Sequence, residues 1–125
     1  MILDFIKRTL QPGITVLSMY GSIHSGPECE RLEREVDRMI ALRETRVIFD
    51  MTGVTHADSA AIGAIVRCLG KLKNAGGGLR IGGAQAMIDH SLRLTKVDKI
   101  IEMFATVEQA AQGFSAPDAR GVPPS

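Results

Sequence analysis

Short apolar runs alternate with longer amphipathic stretches along the chain, and this alternation sets the predicted order of its elements. The run ITVLSM (14–19) is nearly continuous in apolar residues, as expected of a strand that is covered on both faces. The run RVIFDM (46–51) is rich in β-branched and aromatic residues and also predicts a buried strand. Further strands are predicted at 3–10, 79–83 and 99–104.

The amphipathic stretches between these runs predict helices. The first begins at Pro27, which suits an initial helical turn, and its apolar stripe consists of Leu32, Val36, Met39 and Ile40. The second is predicted at 59–74, where glycines 76–78 end it, and its apolar face consists of Ile62, Ile65, Val66 and Leu69. The third, at 85–97, has its apolar positions at Met87, Ile88, Leu92 and Leu94. A short fourth helix follows a capping box formed by Thr106 and Gln109.

Strands that alternate with helices imply βαβ crossovers, so the predicted fold class is α/β. We expect a mixed, mostly parallel sheet of four to five strands, with the first strand antiparallel at an edge. Residues 1–114 are predicted to form one domain, and the tail 115–125, which contains Pro, Gly and Ser, is expected to be disordered. The segments 21–26 and 52–58 are predicted loops at the carboxyl ends of two strands, where such sheets usually meet ligands and partners.

Charge and hydropathy exclude several functional classes. The net charge of +1 argues against nucleic-acid binding, which needs a surplus of clustered Lys and Arg. No apolar run approaches the ~20 residues that span a bilayer, so no membrane insertion is expected. Cys29 and Cys68 lie far apart and fit buried or unpaired thiols in a reducing compartment. The predicted location is the cytoplasm.

Candidate catalytic and cofactor motifs do not fit their templates. The glycine-rich segment NAGGGLRIGGA (74–84) precedes a strand. In nucleotide-binding motifs, by contrast, the glycines follow a strand and lie at the start of a helix. The nearest approach to a metal motif is His56 with Asp58, and no third ligand is close in sequence. Neither a nucleophile elbow nor a zinc-protease motif occurs. We therefore expect no metal and no cofactor, and the chain is predicted not to be an enzyme.

Ser59 lies between Asp58 and the second predicted helix, and it has two interpretations. Either Asp58 or Ser59 could simply cap the helix, because both side chains accept hydrogen bonds from exposed N–H groups. Alternatively, Ser59 is a phosphorylation switch, since its small neighbours Ala60, Ala61 and Gly63 leave the first turn open to another protein. A phosphate adds a charge of about −1.5 to −2, which a helix N-terminus accommodates and a partner that had buried the site would have to desolvate.

The segment VIFDMTGVTHADSAAIGAIV (47–66) resembles the signature of the STAS domain, named for sulfate transporters and anti-sigma factor antagonists. Asp50, Gly53 and Val54 match the family's loop, and the matches at the helix opening are Asp58, Ser59, Ile62 and Gly63. Likeness in YGSI (20–23), in the glycine-rich segment and in TVEQAA (106–111) extends the resemblance over most of the chain. It implies a sheet of four or five strands with helices mainly on one face.

The resemblance also implies a function. Ser59 would be the phosphorylated serine of an anti-sigma factor antagonist, which in its unphosphorylated form binds a serine-kinase anti-sigma factor; a separate phosphatase would reset it. The partner-binding surface would consist of Ser22, Ile23, His24, Thr55, His56, Asp58, Ser59, Ala60, Ile62 and Gly63. Ala60 and Ala61 stand where the family usually has Ser-Gly. The alternative is a constitutive STAS accessory subunit of a lipid transport complex driven by an ATPase, or of a larger signalling assembly. Oligomeric state stays open.

Overall fold

A computed structural model of the chain describes residues 3–11 and 13–114, so the predicted tail 115–125 lies outside the described residues. The strands are β1 (Asp4–Gln11), β2 (Ile14–Ile23), β3 (Arg46–Ala57), β4 (Gly78–Gly82) and β5 (Glu102–Phe104). The α-helices are α1 (Pro27–Ala41), α2 (Ser59–Asn74), α3 (Ala86–Leu94) and α4 (Val107–Ala111). A single 3-10 turn, Val97–Lys99, lies between α3 and β5.

The five strands form one mixed sheet in the order β1-β2-β3-β4-β5. β1 is an edge strand that pairs antiparallel with β2, and the other three pairings are parallel. The predicted α/β class, the largely parallel sheet and the antiparallel first strand are therefore confirmed. Each parallel crossover moves one position in the same direction along the sheet, so right-handed crossovers leave α1, α2 and α3 on the same face.

The two faces of the sheet bury different amounts of apolar surface. On one face, α1, α2 and α3 pack against alternate residues of β2 and β3, including Leu17, Met19, Val47 and Phe49, all fully buried. On the other face, α4 packs Val107 and Ala110 against strand residues that include Ile14, Val16 and Ile48. Because α4 has only five residues, the cluster on this face is small and lies near the start of β2.

The predicted loop at 52–58 is wrong for all but its last residue, because β3 continues to Ala57. The second half of β3 keeps its parallel partner: Gly53 pairs with Tyr20, and Ala57 pairs with Ile23. Two register shifts in this pairing mark bulges, which let a segment with little strand character follow the twist of β2. A sequence of Thr, Gly and His therefore forms a strand through pairing rather than through its own propensity.

The predicted third helix and last strand also need correction. Only Ile88 and Leu92 of the four predicted apolar positions of α3 are buried, whereas Met87 and Leu94 are 75% and 72% exposed. Four apolar side chains within eight residues cannot all face the sheet at 3.6 residues per turn. The segment predicted as a strand from residue 99 is shorter, because the 3-10 turn leaves only Glu102–Phe104 in β5.

Candidate functional site

Asp58, not Ser59, caps α2. One carboxylate oxygen of Asp58, Oδ1, accepts a hydrogen bond from the backbone N–H of Ala61 at 2.8 Å, and Asp58 has the extended backbone typical of a cap. Ser59 is the first residue of the helix and is exposed. Of the two capping interpretations, the structure selects Asp58, and the Ser59 hydroxyl faces solvent without holding the helix in place.

The other oxygen of Asp58 fixes the loop between β2 and α1. Asp58 Oδ2 accepts a hydrogen bond from the backbone N–H of Ser25 at 3.0 Å, and His24 Nδ1 lies 3.8 Å from the same oxygen. The N–H groups of Ala61 and Ser25, in that order, lower the pKa of Asp58, and the nearby His24 adds to the shift. The carboxylate is therefore charged at neutral pH and joins two segments that are distant in sequence.

Glycine allows β2 and β3 to approach closely below this loop. The aromatic ring of Tyr20 covers Gly53, where a Cβ atom would also lie 2.8 Å from the carbonyl oxygen of Met19. One bulge further along, the hydroxyls of Ser22 and Thr55 lie 3.4 Å apart across the two strands. This pairing delivers both strand ends to the same edge of the sheet, next to the first turn of α2.

The predicted contact residues divide by exposure. The exposed residues are His24, Thr55, His56 and Ser59, and the partly exposed residues are Asp58, Ala60, Ile62 and Gly63. These eight residues define what we call the α2 entry surface. Ser22 is only 9% exposed, and Ile23 is fully buried in the core. The prediction that Ile23 contacts a partner is therefore wrong for its side chain, which packs beneath α1 and α2.

A groove extends the α2 entry surface towards α3. It has a volume of about 230 Å³, and its walls are His24, Thr55, His56, Ala57, Asp58, Met87, Ile88 and Ser91. Sequence reasoning missed the three residues from α3, because it named the apolar positions of that helix without relating any of its residues to a binding surface. The available signal was an excess of apolar positions for so short a helix, which required at least one of them to be exposed.

The other candidate sites considered in the sequence are the glycine-rich segment, a metal site and the two cysteines. The glycines at 76–78 lead from the end of α2 into the first residue of β4, at the amino end of the strands and away from Asp58. Among residues 3–11 and 13–114, no three His, Cys, Asp or Glu side chains are grouped to hold a metal ion. Burial raises the pKa of the Cys68 thiol to about 12 and also raises that of Cys29, so neither thiol is ionised at neutral pH. No helix in the described part of the chain has the length and apolar character to cross a membrane.

This combination defines a class of small α/β domain that presents a capped helix N-terminus, with an exposed serine, at the carboxyl edge of a mixed sheet. The sequence profile of the STAS domain matches residues 6–110. The chain belongs to the STAS domain family, and the resemblance noted in its sequence is confirmed.

Solved structures with the same fold include several anti-sigma factor antagonists. A candidate antagonist from Thermotoga maritima superposes with a TM-score of 0.80 at 18% identity, over 88% of this chain and 93% of the other. An antagonist from Mycobacterium paratuberculosis gives 0.79 at 18% identity, over 90% and 94%. The antagonist SpoIIAA in its unphosphorylated form gives 0.67 at 15% identity, over 86% and 94%. At these identities the likeness establishes the fold.

Proposed function

We propose that this chain is an anti-sigma factor antagonist whose binding to a serine-kinase anti-sigma factor is switched off by phosphorylation of Ser59. The main support for the proposal is that two neighbouring residues have separate roles at the start of α2. Asp58 supplies the cap, and Ser59 presents its hydroxyl to solvent in the first turn. The class of protein matched by the fold supports the same reading.

Phosphorylation at this position leaves the fold intact. The cap of α2 depends on Asp58 Oδ1 and the N–H of Ala61, and neither atom is altered when Ser59 Oγ is esterified. The phosphate stands at the positive end of the dipole of a 16-residue helix, which favours an anion there. The protein can therefore carry the modification as a folded domain.

The same phosphate has a different effect on the binding of a partner. The added dianion stands beside the carboxylate of Asp58, which its hydrogen bonds keep ionised. A partner that covered the α2 entry surface would have to remove about three negative charges from water at once, which opposes binding strongly unless cations of its own meet them. The modification thus separates the partner without unfolding the domain.

The test uses the purified chain, ATP and the serine-kinase anti-sigma factors of its own genome, with the phosphate located by mass spectrometry. We expect one kinase to phosphorylate Ser59, the unmodified chain to bind that kinase, and Ser59→Asp to weaken binding at least tenfold. Ser25→Ala is the matched control, because Ser25 is also exposed beside Asp58 and contributes only its backbone N–H. Its binding and phosphorylation should equal those of the natural chain.

Two results would refute the switch. One is phosphate found on other residues while Ser59→Ala is still labelled. The other is equal affinity of Ser59→Asp and the natural chain for a partner that uses the α2 entry surface, which would select the constitutive accessory subunit. The departures from the family pattern bear little on that choice, because Ala61 is fully buried and only Ala60 reaches the surface.

A further inference from the structure

Met87 is the most exposed large apolar side chain of the described residues, at 75%, and the fold does not account for it. α3 is held to the sheet by Ile88 and Leu92, which are 4% and 1% exposed. Met87 points away from that contact and forms one wall of the groove beside the α2 entry surface. Methionine is flexible and polarisable, which suits a surface that packs against a partner.

The groove combines an apolar interior with a polar margin. Ala57, Met87 and Ile88 provide apolar surface, and His24, His56 and Asp58 stand around it. Its volume of about 230 Å³ is below the ~300–1,000 Å³ of typical small-molecule sites. A single apolar side chain inserted from another protein fits a space of this size, and such buried apolar contacts, surrounded by polar ones, carry most of the energy of many interfaces.

Four of the residues that line the groove, His24, Thr55, His56 and Asp58, also belong to the α2 entry surface, and this overlap identifies the occupant. Asp58 lines the groove and caps the helix that carries Ser59, so whatever fills the groove contacts the residue next to the proposed phosphorylation site. The last described residue, Phe114, lies against Gly78 and Arg46 at the amino ends of β4 and β3, at the opposite end of the strands from the groove.

We propose that the groove receives an apolar side chain of the kinase partner and that Met87 is the anchor of this contact. The identity of the partner rests on the proposed function, whereas the role of Met87 is inferred from the geometry of the groove. Met87 therefore sets which partner binds without taking part in phosphate transfer. The imidazoles of His24 and His56 would face polar groups that surround the inserted side chain.

The experiment measures the dissociation constant for the serine-kinase anti-sigma factor that phosphorylates Ser59, by titration calorimetry without ATP. Met87→Lys should weaken binding at least tenfold, because it places a charge in the apolar groove. Leu94→Lys is the matched control: Leu94 is 72% exposed on the same helix, two turns away and outside the groove, so its effect should stay below twofold. Met87→Leu keeps an apolar side chain at this position and should bind the kinase within threefold of the natural chain.

The results separate the anchor from the switch. If Met87→Lys binds the kinase as the natural chain does, the anchor is refuted while the Ser59 switch can still hold. If Met87→Lys loses binding but Ser59→Asp does not, the anchor stands and the switch fails. Sedimentation of the chain alone is measured in parallel. A Met87-dependent dimer that binds the kinase normally would identify a second copy as the occupant and overturn the proposal.

Discussion

Asp50 and Asp58 lie in the same strand-to-helix segment, and hydrogen bonds lower the pKa of both carboxyl groups. The two carboxylates nevertheless have different structural roles. Asp50 Oδ2 accepts from the hydroxyl of Ser18 at 2.8 Å, and Oδ1 accepts from the hydroxyl and N–H of Thr52. All three donors belong to the sheet. The donors to Asp58 come from a loop and a helix. One carboxylate thus holds two strands together, and the other positions a surface.

The difference lies in what surrounds each donor. Ser18 is only 4% exposed, so its hydroxyl depends on Asp50 for a partner. Asp58 differs because one of its two donors, the N–H of Ser25, lies in an exposed loop where water can replace the carboxylate, and only the residue of the other donor, Ala61, is buried. A similar number of hydrogen bonds therefore contributes more to stability at Asp50, while the geometry at Asp58 matters more for binding.

The largest expected effect is on stability. Asp50→Ala removes the acceptor of a buried hydroxyl and should lower the free energy of unfolding by about 2–3 kcal/mol, as measured by urea denaturation. Asp58→Ala should lower it by less and reduce kinase binding more. Asp50→Asn keeps one of the two acceptor oxygens and should destabilise the fold less than Asp50→Ala. Equal destabilisation by the two alanine substitutions would remove the distinction between the aspartates.

The dependence of stability on acidic pH should also differ between Asp50 and Asp58. Burial alone would raise the pKa of Asp50, but the hydrogen bonds from Thr52 and Ser18 outweigh it, and the pKa lies below its ordinary value. A carboxyl whose pKa is lower in the folded than in the unfolded state stabilises the fold above the unfolded pKa of about 3.9. That contribution is lost as the pH falls towards the folded pKa.

The free energy of unfolding should therefore decrease below about pH 4 in the natural chain, and Asp50→Asn should flatten this decrease. Asp58→Asn should flatten it less, because Asp58 is more open to solvent. Urea titrations between about pH 2.5 and pH 6 give the comparison. An acid dependence that is unchanged in Asp50→Asn would show that the carboxylate does not gain stability from these bonds.

The smallest effect compares two glycines of α2. A Cβ atom at Gly70 meets nothing within 4 Å, and at Gly63 it lies 3.4 Å from the flexible end of Arg67, so alanine fits both sites. Each substitution should stabilise the domain by about 0.5–1 kcal/mol, because glycine is a poor helix former. Only Gly63→Ala should weaken kinase binding, since Gly63 belongs to the α2 entry surface. Equal binding by both variants would place Gly63 outside the interface.

Local signals account for the parts of the fold that were predicted well. The bounds of α2 were predicted at 59–74 and observed as Ser59–Asn74, because a capping aspartate and a glycine run mark its two ends. Thr106 was predicted to cap α4, and its hydroxyl accepts from the N–H of Gln109 at 3.1 Å. Such contacts span only three or four residues, so the sequence contains both partners side by side.

Most of the errors depend on contacts between distant residues. β3 continues past Met51 because β2 offers it a partner, which the composition of 52–57 does not reveal. The burial of Ile23 and the exposure of Met87 follow from where α1, α2 and α3 settle on the sheet. For the candidate site, the sequence identified Asp58 and Ser59, but not the wall that α3 contributes.

The order of the strands has a further consequence. Many α/β proteins reverse the direction in which strands are added, and two neighbouring crossover helices then part over opposite faces and open a crevice for a ligand. Across the described residues this chain adds β2 to β5 in one direction, so no such cleft interrupts its sheet. Under the proposed function, phosphorylation of Ser59 would therefore alter the outer edge of the domain, where a partner makes contact, rather than a crevice within the sheet.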